Sequence, residues 1–491
     1  MQFGLSESVA HWGRYRRDHR AVRTNGNAIS YGTLNANIDR IVPRLVDDPA
    51  SRVAVACGSK YNLLVAILAT LRAGKSVVLL NTGLSDDALK TNLADAEVEV
   101  LVHDASSEKV PNLVRQRGGR VISTSGLADG AAASPPTREP TDEWGVLYSS
   151  GTTGTPKGIE RDHDSMVTEF LGWIMELGLN RDTSFFIGRP IYYTGGLVLA
   201  GATLLVGGTI VIDDLPNEND FEQAWGSLAN TLQGDEVEWA FFIPDQLRAF
   251  IKTKRNPSLP RVPKNVLVMG GLISGEEKLA TSRLLRCNVI ESWGNSESLG
   301  TITEAEDLNT RPNSIGRPFV CDDLSIVDEK LRPLPPGEHG RIAGGIEAGF
   351  VRYSNRPEAT DEARREGLII SEDYGYQDET GYFYILGRLS DNVVRNGKSI
   401  FLSQVEARIR SDDQISECCV TSAGDEGSVQ VVAIVSPPVQ IDAETLRTRL
   451  NATLPDGERI DRLLLMDIPK VPSGKIDRLA CKKLAADNHN A

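Results

Sequence analysis

The N-terminal part of the chain alternates short apolar runs with longer segments in which apolar residues recur at helical spacing. The patterns predict strands at residues 53–56, 76–80 and 98–102, and helices at residues 63–73 and 86–94. Strands that alternate with helices are typical of repeated βα units, which build a largely parallel sheet. The hydrophobic pattern therefore predicts an α/β fold.

The C-terminal part of the chain carries a second, smaller set of patterns. A strand is predicted at residues 429–435 and a helix near residues 403–409, which is enough for a small α/β domain. Proline-rich segments elsewhere predict irregular connections: a linker at residues 131–136 and a tight surface turn at residues 332–337.

Composition excludes several classes of protein. The chain has 491 residues, 40% of them hydrophobic and 24% charged, as in a globular protein long enough for two or more cores. Its net charge of −14 argues against a nucleic-acid partner, because phosphate binding needs a basic surface.

Six cysteines without C-x-x-C spacing are expected to be reduced, and six histidines without an H-x-x-x-H pair offer no zinc site. The N-terminus has no basic region followed by an apolar run, so a cytoplasmic enzyme is expected.

One segment, residues 148–158, combines glycines, hydroxyls and a cation in a loop of the size that binds phosphate. Gly151 and Gly154 allow backbone N–H groups to approach an anion, and Lys157 adds a positive charge. The hydroxyls belong to Ser149, Ser150, Thr152, Thr153 and Thr155. A Walker A loop is disfavoured, because a proline precedes the lysine and a glycine follows it. The other alternative is a solvated turn, which would not require the lysine. Binding of nucleotide phosphates is the favoured hypothesis.

This loop resembles the signature motif of the adenylate-forming superfamily, which includes acyl-CoA synthetases, adenylation domains and luciferases. Four further motifs follow in the family's order over more than 300 residues. They are residues 293–297 (aromatic-Gly-x-Thr-Glu), 371–373 (Thr-Gly-Asp), 387–391 (the hinge) and 472–477 (the C-terminal lysine motif). The second of these reads Ser-Glu-Asp here, a departure from the family's pattern.

The resemblance implies an α/β fold in which a large N-terminal domain, residues 1–387, has α/β sheet layers, a small barrel-like portion, and the ATP and acyl pockets. A small mobile α+β C-terminal domain, residues 388–491, is expected to rotate about a hinge at Asp391 between two half-reactions. The uncharged run of residues 191–212 is long enough to span a bilayer, but five glycines and three threonines interrupt it. The family pattern has a pocket-lining turn, a buried helix and a core strand there, which we expect instead of a transmembrane span.

The resemblance also assigns nucleotide and metal contacts. Glu297 is expected to hold Mg²⁺, as a hard carboxylate does. Ser296 would contact the α-phosphate through its hydroxyl. Trp293 would stack on adenine, with Gly294 and Asn295 beside it.

Further contacts are implied for the C-terminal motifs. Asp373 is expected to accept hydrogen bonds from the ribose hydroxyls, assisted by Arg388. Lys475 would bridge the incoming carboxylate and the α-phosphate in the first half-reaction. In the second, the loop with Gly397 and Lys398 would replace it, and Gly397 would line the thiol tunnel, where a side chain would block the thiol.

The acyl pocket of the family draws on a turn, a strand end and a glycine pair, and this lining is mostly apolar or aromatic. The matching residues are Tyr193, Thr194, Gly195, Phe242, Gly270, Gly271 and Leu272. Tyr193 stands where many relatives have histidine. Asp245 would pair with a substrate amine in an amino-acid activator, although a surface carboxylate is the simpler interpretation.

Together the motifs predict an acid–thiol ligase that uses ATP, Mg²⁺ and CoA. It would convert a carboxylic acid, hydrophobic or aromatic, to an acyl-adenylate and transfer the acyl group to the CoA thiol with release of AMP. Two alternatives stay open. One is a stand-alone adenylation enzyme that loads a carrier-protein phosphopantetheine. The other is a variant competent in one half-reaction only, or a nucleotide-binding regulator without turnover.

Overall fold

Helices and strands alternate from the N-terminus, as the pattern predicts. The computed structural model describes the chain except residues 1–3, 125–141, 149–156, 216–220, 235, 254–261, 346–348, 396–397, 413, 416, 425–428, 438–441, 472–475 and 489–491. The first elements, in chain order, are α1 (Leu5–Tyr15), β1 (Arg20–Thr24), β2 (Asn27–Ser30), α2 (Tyr31–Val46), β3 (Arg52–Ala56), α3 (Lys60–Arg72), β4 (Ser76–Leu79), α4 (Asp86–Asp95), β5 (Val100–His103), α5 (Lys109–Gln116), β6 (Arg120–Ser123), β7 (Glu143–Tyr148) and β8 (Gly158–Asp162).

The central elements alternate as far as Gly294 and then include consecutive strands. They are α6 (His163–Leu177), β9 (Ser184–Ile187), α7 (Thr194–Leu205), β10 (Thr209–Val211), α8 (Phe221–Gly234), β11 (Trp239–Phe242), α9 (Pro244–Thr253), β12 (Asn265–Met269), α10 (Gly275–Leu285), β13 (Asn288–Gly294), β14 (Gly300–Ile302), α11 (Asp307–Thr310), β15 (Arg317–Pro318), β16 (Leu324–Val327), β17 (Gly340–Gly345), β18 (Arg352–Tyr353), α12 (Pro357–Ala363) and β19 (Arg364–Arg365).

The C-terminal strands pair mostly in antiparallel fashion. The C-terminal elements are β20 (Leu368–Gln377), β21 (Phe383–Arg388), β22 (Asn392–Arg395), β23 (Lys398–Phe401), α13 (Leu402–Arg410), β24 (Cys418–Ala423), β25 (Gln430–Val435), α14 (Ala443–Asn451), β26 (Arg462–Leu465) and α15 (Arg478–Asp487).

Every strand and helix that the hydrophobic pattern predicted near the N-terminus is present, with ends that differ by a few residues. They are β3, β4, β5, α3 and α4. Capping chemistry explains where α4 begins. The Ser85 hydroxyl accepts a hydrogen bond from the Ala88 N–H, and Asp86 and Asp87 lie in the positively polarised first turn.

Two large sheets result. The seven-stranded sheet has the order β18-β8-β7-β4-β3-β5-β6, and its strands from β7 to β6 run parallel. The nine-stranded sheet has the order β15-β14-β13-β12-β11-β9-β10-β1-β2, and its six inner strands from β13 to β1 run parallel. Parallel strands end at a common edge, so the loops after them lie together.

Buried apolar side chains join each sheet to its helices. Against the seven-stranded sheet, Leu89 and Leu93 of α4 and Leu113 of α5 pack with Val78 and Leu101. Against the nine-stranded sheet, helices α8 and α9 pack in the same way on β9, β11 and β12. Because helices cover these sheets, the side chains of the inner strands are buried, which explains why those strands are continuously apolar.

The uncharged run of residues 191–212 forms α7, a glycine pair and β10, which confirms the buried helix and core strand. All of α7 from Gly196 onward is buried. In the described part of the chain, no helix combines the length and apolar character needed to cross a membrane.

The chain divides into two compact units. The first contains the described residues up to Leu324 together with those of Gly344–Ile369, and the second contains those of Ser325–Ala343 and those from Ile370 onward. The domain boundary expected between residues 387 and 388 falls within the second unit and stays a prediction. The expected linker at residues 131–136 lies outside the described residues.

The second unit contains the two C-terminal elements predicted from the pattern, as α13 and β25. Its core joins α13 and α14 to a three-stranded sheet of order β24-β25-β26, through residues such as Val405, Val431 and Leu446. The predicted surface turn is also present, with Gly337 at φ +84 and the Glu338 N–H donating to the Pro335 carbonyl.

The prediction of a small barrel-like portion was wrong. A five-stranded sheet has the order β16-β17-β20-β19, with β21 paired to β20. Within the described residues this sheet does not close, because β16 and β19 stay at opposite ends of the order and do not pair.

Candidate active site

In the first unit, the predicted pocket and nucleotide residues follow the ends of neighbouring parallel strands. β9, β11, β12 and β13 are adjacent in the sheet and parallel. The loops after β9, β12 and β13 contain Tyr193, Gly270 and Asn295, respectively, and Ile243 connects β11 to α9. Motifs that are about a hundred residues apart in the chain are therefore gathered at one edge of the sheet, where open α/β sheets bind ligands.

Tyr193 is half-buried and has two polar neighbours that the sequence did not predict. Its hydroxyl accepts a hydrogen bond of 3.0 Å from the Asn81 side-chain amide. The Arg189 guanidinium lies 5.9 Å from the centre of its ring. Asn81 follows β4 in the seven-stranded sheet, so this contact joins loops from the edges of both large sheets. Asn81 was not singled out from the sequence, although a polar residue two positions after a buried strand is a signal that could have identified it.

Thr194 connects the predicted acyl pocket with the predicted nucleotide motif. Its hydroxyl donates a hydrogen bond of 3.0 Å to the Ser296 hydroxyl. Gly195 lies beside Met269, because a Cβ added to it would be 3.0 Å from the Met269 methyl group. The turn after β9 thus contacts the loop after β13 and the end of β12.

Phe242 is not placed as the sequence predicted. Its side chain is fully buried in the core, with its ring 6.0 Å from that of Phe186 and 6.4 Å from that of Trp225. Side chains alternate along a strand, so the neighbouring Phe241 points the other way. The Phe241 ring would be 3.5 Å from a Cβ on Gly195, which makes Phe241 the aromatic residue of this strand nearest the turn.

The glycine pair after β12 is exposed, and so is Leu272, at 39%. Gly270 has φ +97, a conformation that favours glycine. Asp245, the candidate partner for a substrate amine, forms an ion pair of 2.8 Å with Arg248 and is half exposed. Its pairing supports the interpretation of a surface carboxylate.

Trp293 lies near the end of β13, and Ser296 and Glu297 lie in the tight turn that joins β13 to the antiparallel strand β14. Trp293 is half-buried and lies opposite Thr301. The Asn295 side chain accepts a hydrogen bond of 2.9 Å from the Leu299 N–H, and its backbone N–H donates to the Leu299 carbonyl at 3.1 Å. Asn295 therefore closes the turn, a structural contact in addition to the predicted nucleotide contact.

A buried charge cluster supports the same turn. Arg161 on β8 is fully buried and donates to the Glu169 carboxylate at 2.8 Å and to the Ser298 hydroxyl. The Ser298 hydroxyl donates in turn to Glu169 at 2.8 Å. Ser298 has φ +71, which is uncommon for a residue other than glycine. The cluster thus holds the residue after Glu297 in a constrained conformation.

Glu297 has a specific donor. The Tyr353 hydroxyl donates a hydrogen bond of 2.6 Å to Oε1 of Glu297, and the Lys157 ammonium lies 4.8 Å from the centre of the Tyr353 ring. A carboxylate oxygen suits Mg²⁺, which takes one or two protein carboxylates and completes its shell with phosphate oxygens and water. In the described ranges, no group of three His, Cys, Asp or Glu side chains could hold a metal ion. A single protein carboxylate such as Glu297 suits a cation that takes its other ligands from nucleotide phosphates and water.

A second carboxyl group near the turn has an altered pKa. Asp322 accepts a hydrogen bond of 2.8 Å from the Gly300 N–H at the start of β14. Burial raises the pKa of its carboxyl group to about 7, and the neighbouring Glu169 adds to this effect.

In the second unit, Asp373 and Arg388 lie opposite each other on β20 and β21. The Arg388 side chain is 3.6 Å from the Asp373 carboxylate, and Asp373 Oδ2 accepts a hydrogen bond from the Ser371 hydroxyl. Glu372, the departure from the family's motif, is exposed, because neighbouring residues of a strand point to opposite faces. The extra carboxylate therefore points away from Asp373.

The hinge residue Asp391 lies in a short 3₁₀ turn, with its carboxylate 3.6 Å from Arg478. Arg478 also contacts Glu406 on α13. Gly387, which precedes the hinge, packs so closely that a Cβ would be 2.5 Å from the Ser403 hydroxyl. Lys398 is exposed at the start of β23.

Several predicted residues lie outside the described residues. They are Ser149, Ser150, Gly151, Thr152, Thr153, Gly154, Gly397 and Lys475. The six cysteines are free, as predicted, and all are buried except Cys321, which is half-buried.

Comparison with known proteins identifies the family. A family model described as AMP-binding enzyme matches residues 9–345, and the chain belongs to this family. The chain is 27% identical to feruloyl-CoA synthase from an Amycolatopsis species over 477 residues, which cover 93% of this chain and 95% of that protein. It is 26% identical to 2-succinylbenzoate–CoA ligase from Bacillus mycoides over 482 residues, or 96% of each protein.

A solved structure shows the same fold. The o-succinylbenzoate CoA synthetase from Bacillus subtilis, in complex with its acyl-adenylate intermediate, matches with a TM-score of 0.86. The two chains are 20% identical, and the match covers 97% of each.

Proposed function

We propose that this protein is an AMP-forming acyl-CoA ligase that activates a carboxylic acid with ATP and then transfers the acyl group to CoA. The observation that carries the proposal is the hydrogen bond between Thr194 and Ser296, which joins the predicted acyl pocket to the predicted nucleotide motif. The names of the curated relatives, a feruloyl-CoA synthase and a succinylbenzoate–CoA ligase, support an aromatic acid.

The first half-reaction brings two anions together, so the site must neutralise charge and align the reactants. A carboxylate oxygen attacks the α-phosphorus of ATP, the bond to the β-phosphate breaks, and pyrophosphate leaves. Glu297 and Lys157 would hold the metal and the triphosphate, while Ser296 and Lys475 would contact the α-phosphate. Mg²⁺ supplies neutralisation of the phosphate charge.

The second half-reaction transfers the acyl group. The CoA thiol loses its proton, its sulfur bonds to the acyl carbon, and AMP leaves with the electron pair of the broken C–O bond. The loop with Gly397 and Lys398 would line the path of the thiol, and Asp373 with Arg388 would hold the ribose. Movement about Asp391 would exchange the two arrangements.

The test is acid-dependent exchange of labelled pyrophosphate into ATP, followed by detection of acyl-CoA. The panel contains hydroxycinnamic acids, 2-succinylbenzoate, aliphatic acids and amino acids. We expect exchange with aromatic acids and formation of their CoA thioesters. If exchange occurs but no acyl-CoA forms, and a thioester forms only when a phosphopantetheinyl carrier protein is added, the acceptor is a carrier protein and not CoA. Nucleotide binding without exchange for any acid would overturn the proposal.

A further inference from the structure

Tyr353 is held rigidly next to the end of the phosphate loop. It lies on β18, which pairs with β8, the strand that begins directly after that loop. The following residue, Ser354, donates its N–H to the Gly158 carbonyl at 2.8 Å. The Tyr353 side chain is buried, with its ring 4.7 Å from that of Phe350. Its position is therefore fixed by the backbone and by packing.

The Tyr353 side chain contacts two groups of opposite charge. Its hydroxyl donates to Glu297 Oε1 at 2.6 Å, and its ring is 4.8 Å from the Lys157 ammonium. A cation is attracted to the face of an aromatic ring, and a carboxylate is a strong acceptor for a phenol. The three residues come from separate segments of the chain. Tyr353 belongs to none of the motifs identified from the sequence.

We propose that Tyr353 is a positioning residue for the nucleotide-bound metal, with two distinct effects. The hydroxyl holds Glu297 by one oxygen, so that the other oxygen is presented to the divalent cation. The ring keeps Lys157 from pairing directly with Glu297, which would neutralise both charges before MgATP binds. This inference rests on the proposed function, because it takes Glu297 as the metal ligand and Lys157 as a phosphate contact.

Tyr353→Phe tests the effect of the hydroxyl. The measurement is Mn²⁺ binding by electron paramagnetic resonance, with the full chain and a non-hydrolysable ATP analogue. We expect Mn²⁺ affinity to fall about tenfold, since a hydrogen bond to a charged group is lost. Affinity for the analogue without metal should stay the same. Tyr61→Phe is the matched control, because the Tyr61 hydroxyl contacts Asn37 instead, and it should leave Mn²⁺ affinity unchanged.

Tyr353→Leu tests the effect of the ring. Without the ring, Lys157 is free to pair with Glu297, so affinity for the metal-free analogue should also fall, by about fivefold. In a Lys157→Met background, Tyr353→Leu should cause no further loss of affinity for the metal-free analogue, because no lysine remains that could pair with Glu297. Equal affinities for this analogue in the Phe and Leu variants would overturn the spacer effect.

Two outcomes separate this inference from the proposed function. In the first, Mn²⁺ affinity is unchanged in Tyr353→Phe but falls strongly in Glu297→Gln. This result overturns the positioning effect and leaves the ligase proposal standing. Unchanged Mn²⁺ affinity in Glu297→Gln removes the premise and overturns the inference as well. Thermal unfolding of each variant checks the fold, and the conservative Phe variant keeps the test decisive if the Leu variant does not fold.

Discussion

At the scale of single residues, the environment of Tyr193 bears most directly on the substrate. Its hydroxyl is held by Asn81 and its ring lies near the Arg189 guanidinium, so polar groups surround this side chain in the turn after β9. An acid with a hydroxyl or ether group near this position would be able to hydrogen-bond to these polar groups, which a purely aliphatic acid would not use.

Tyr193→Phe should change kcat/KM for some acids far more than for others, with little change in the apparent affinity for ATP. We expect the preference for hydroxylated over plain acids to fall about tenfold or more, because sites built to hydrogen-bond a substrate discriminate strongly. Kinetics on a panel of acids measures this. Asn81→Ala should reproduce the effect, and the double variant should show no further loss. An equal effect on every acid would remove Tyr193 from the acyl pocket.

Asp322 gives a prediction for pH. The pKa of its carboxyl group is raised to about 7 by burial, above the ordinary value of 3.8. The unfolded chain therefore ionises first as pH rises, so the contribution of Asp322 to stability is complete below the ordinary value and is lost as pH approaches about 7. Each unit of such a shift corresponds to about 1.4 kcal/mol.

Asp322→Asn removes this titration but keeps an oxygen that can accept from the Gly300 N–H. We expect the variant to gain stability relative to the native chain when both are compared by urea unfolding at about pH 8 and about pH 5. The gain should be larger at the higher pH. A gain that does not depend on pH would contradict the assignment.

At the scale of elements, the turn between β13 and β14 depends on a strand from the other large sheet. Arg161 on β8 links Glu169 on α6 with Ser298 in the turn, through contacts that are buried or partly buried. The turn's own sequence includes a residue, Ser298, with positive φ. Such a conformation persists when its surroundings determine it.

Arg161→Met should lower the free energy of unfolding by about 3–5 kcal/mol, because it leaves Glu169 as an uncompensated buried charge. The double variant Arg161→Met/Glu169→Met should recover part of this loss, since no unpaired charge remains. Urea unfolding measures both. Arg332→Met is the control, because its ion pair with Asp328 is exposed and should contribute less than about 1 kcal/mol. Additive losses in the double variant would contradict the coupling.

At the scale of the whole molecule, the predicted site residues are divided between two units. The first contains Glu297, Ser296 and the pocket turn, and the second contains Asp373, Arg388 and Asp391. Within the second unit, Arg478 joins Asp391 to α13. The half-reactions are proposed to use different groups of the second unit, so they should respond separately to mutation.

Lys475→Ala should abolish formation of the acyl-adenylate while leaving formation of the thioester from supplied acyl-adenylate largely intact. The loss in the first step should be about 10²- to 10³-fold, as for removal of one preorganised charge contact. Pyrophosphate exchange measures the first step, and release of AMP from synthetic acyl-adenylate with CoA measures the second. Equal losses in both steps would argue against separate arrangements.

The sequence by itself determined the elements and the motifs. The short apolar runs of β3, β4 and β5 and the helical spacing in α3 and α4 depend on near neighbours in the chain, so a local pattern is enough to identify them. The phosphate loop and Trp293–Glu297 motifs were also readable, because their chemistry lies in consecutive residues. Even within a strand the pattern had a limit: it did not decide whether Phe241 or Phe242 faces the turn, since both are apolar.

The tertiary structure alone decided which distant side chains meet. Asn81 bonds to Tyr193, 112 residues away, and Arg161 bonds to Ser298, 137 residues away. Tyr353 bonds to Glu297, 56 residues away, and its ring also lies next to Lys157. None of these contacts has a local signature, because each depends on which strands become neighbours and where they end. Strand order follows from burying apolar faces throughout the chain, and the polar contacts at the sheet edges are set by that packing.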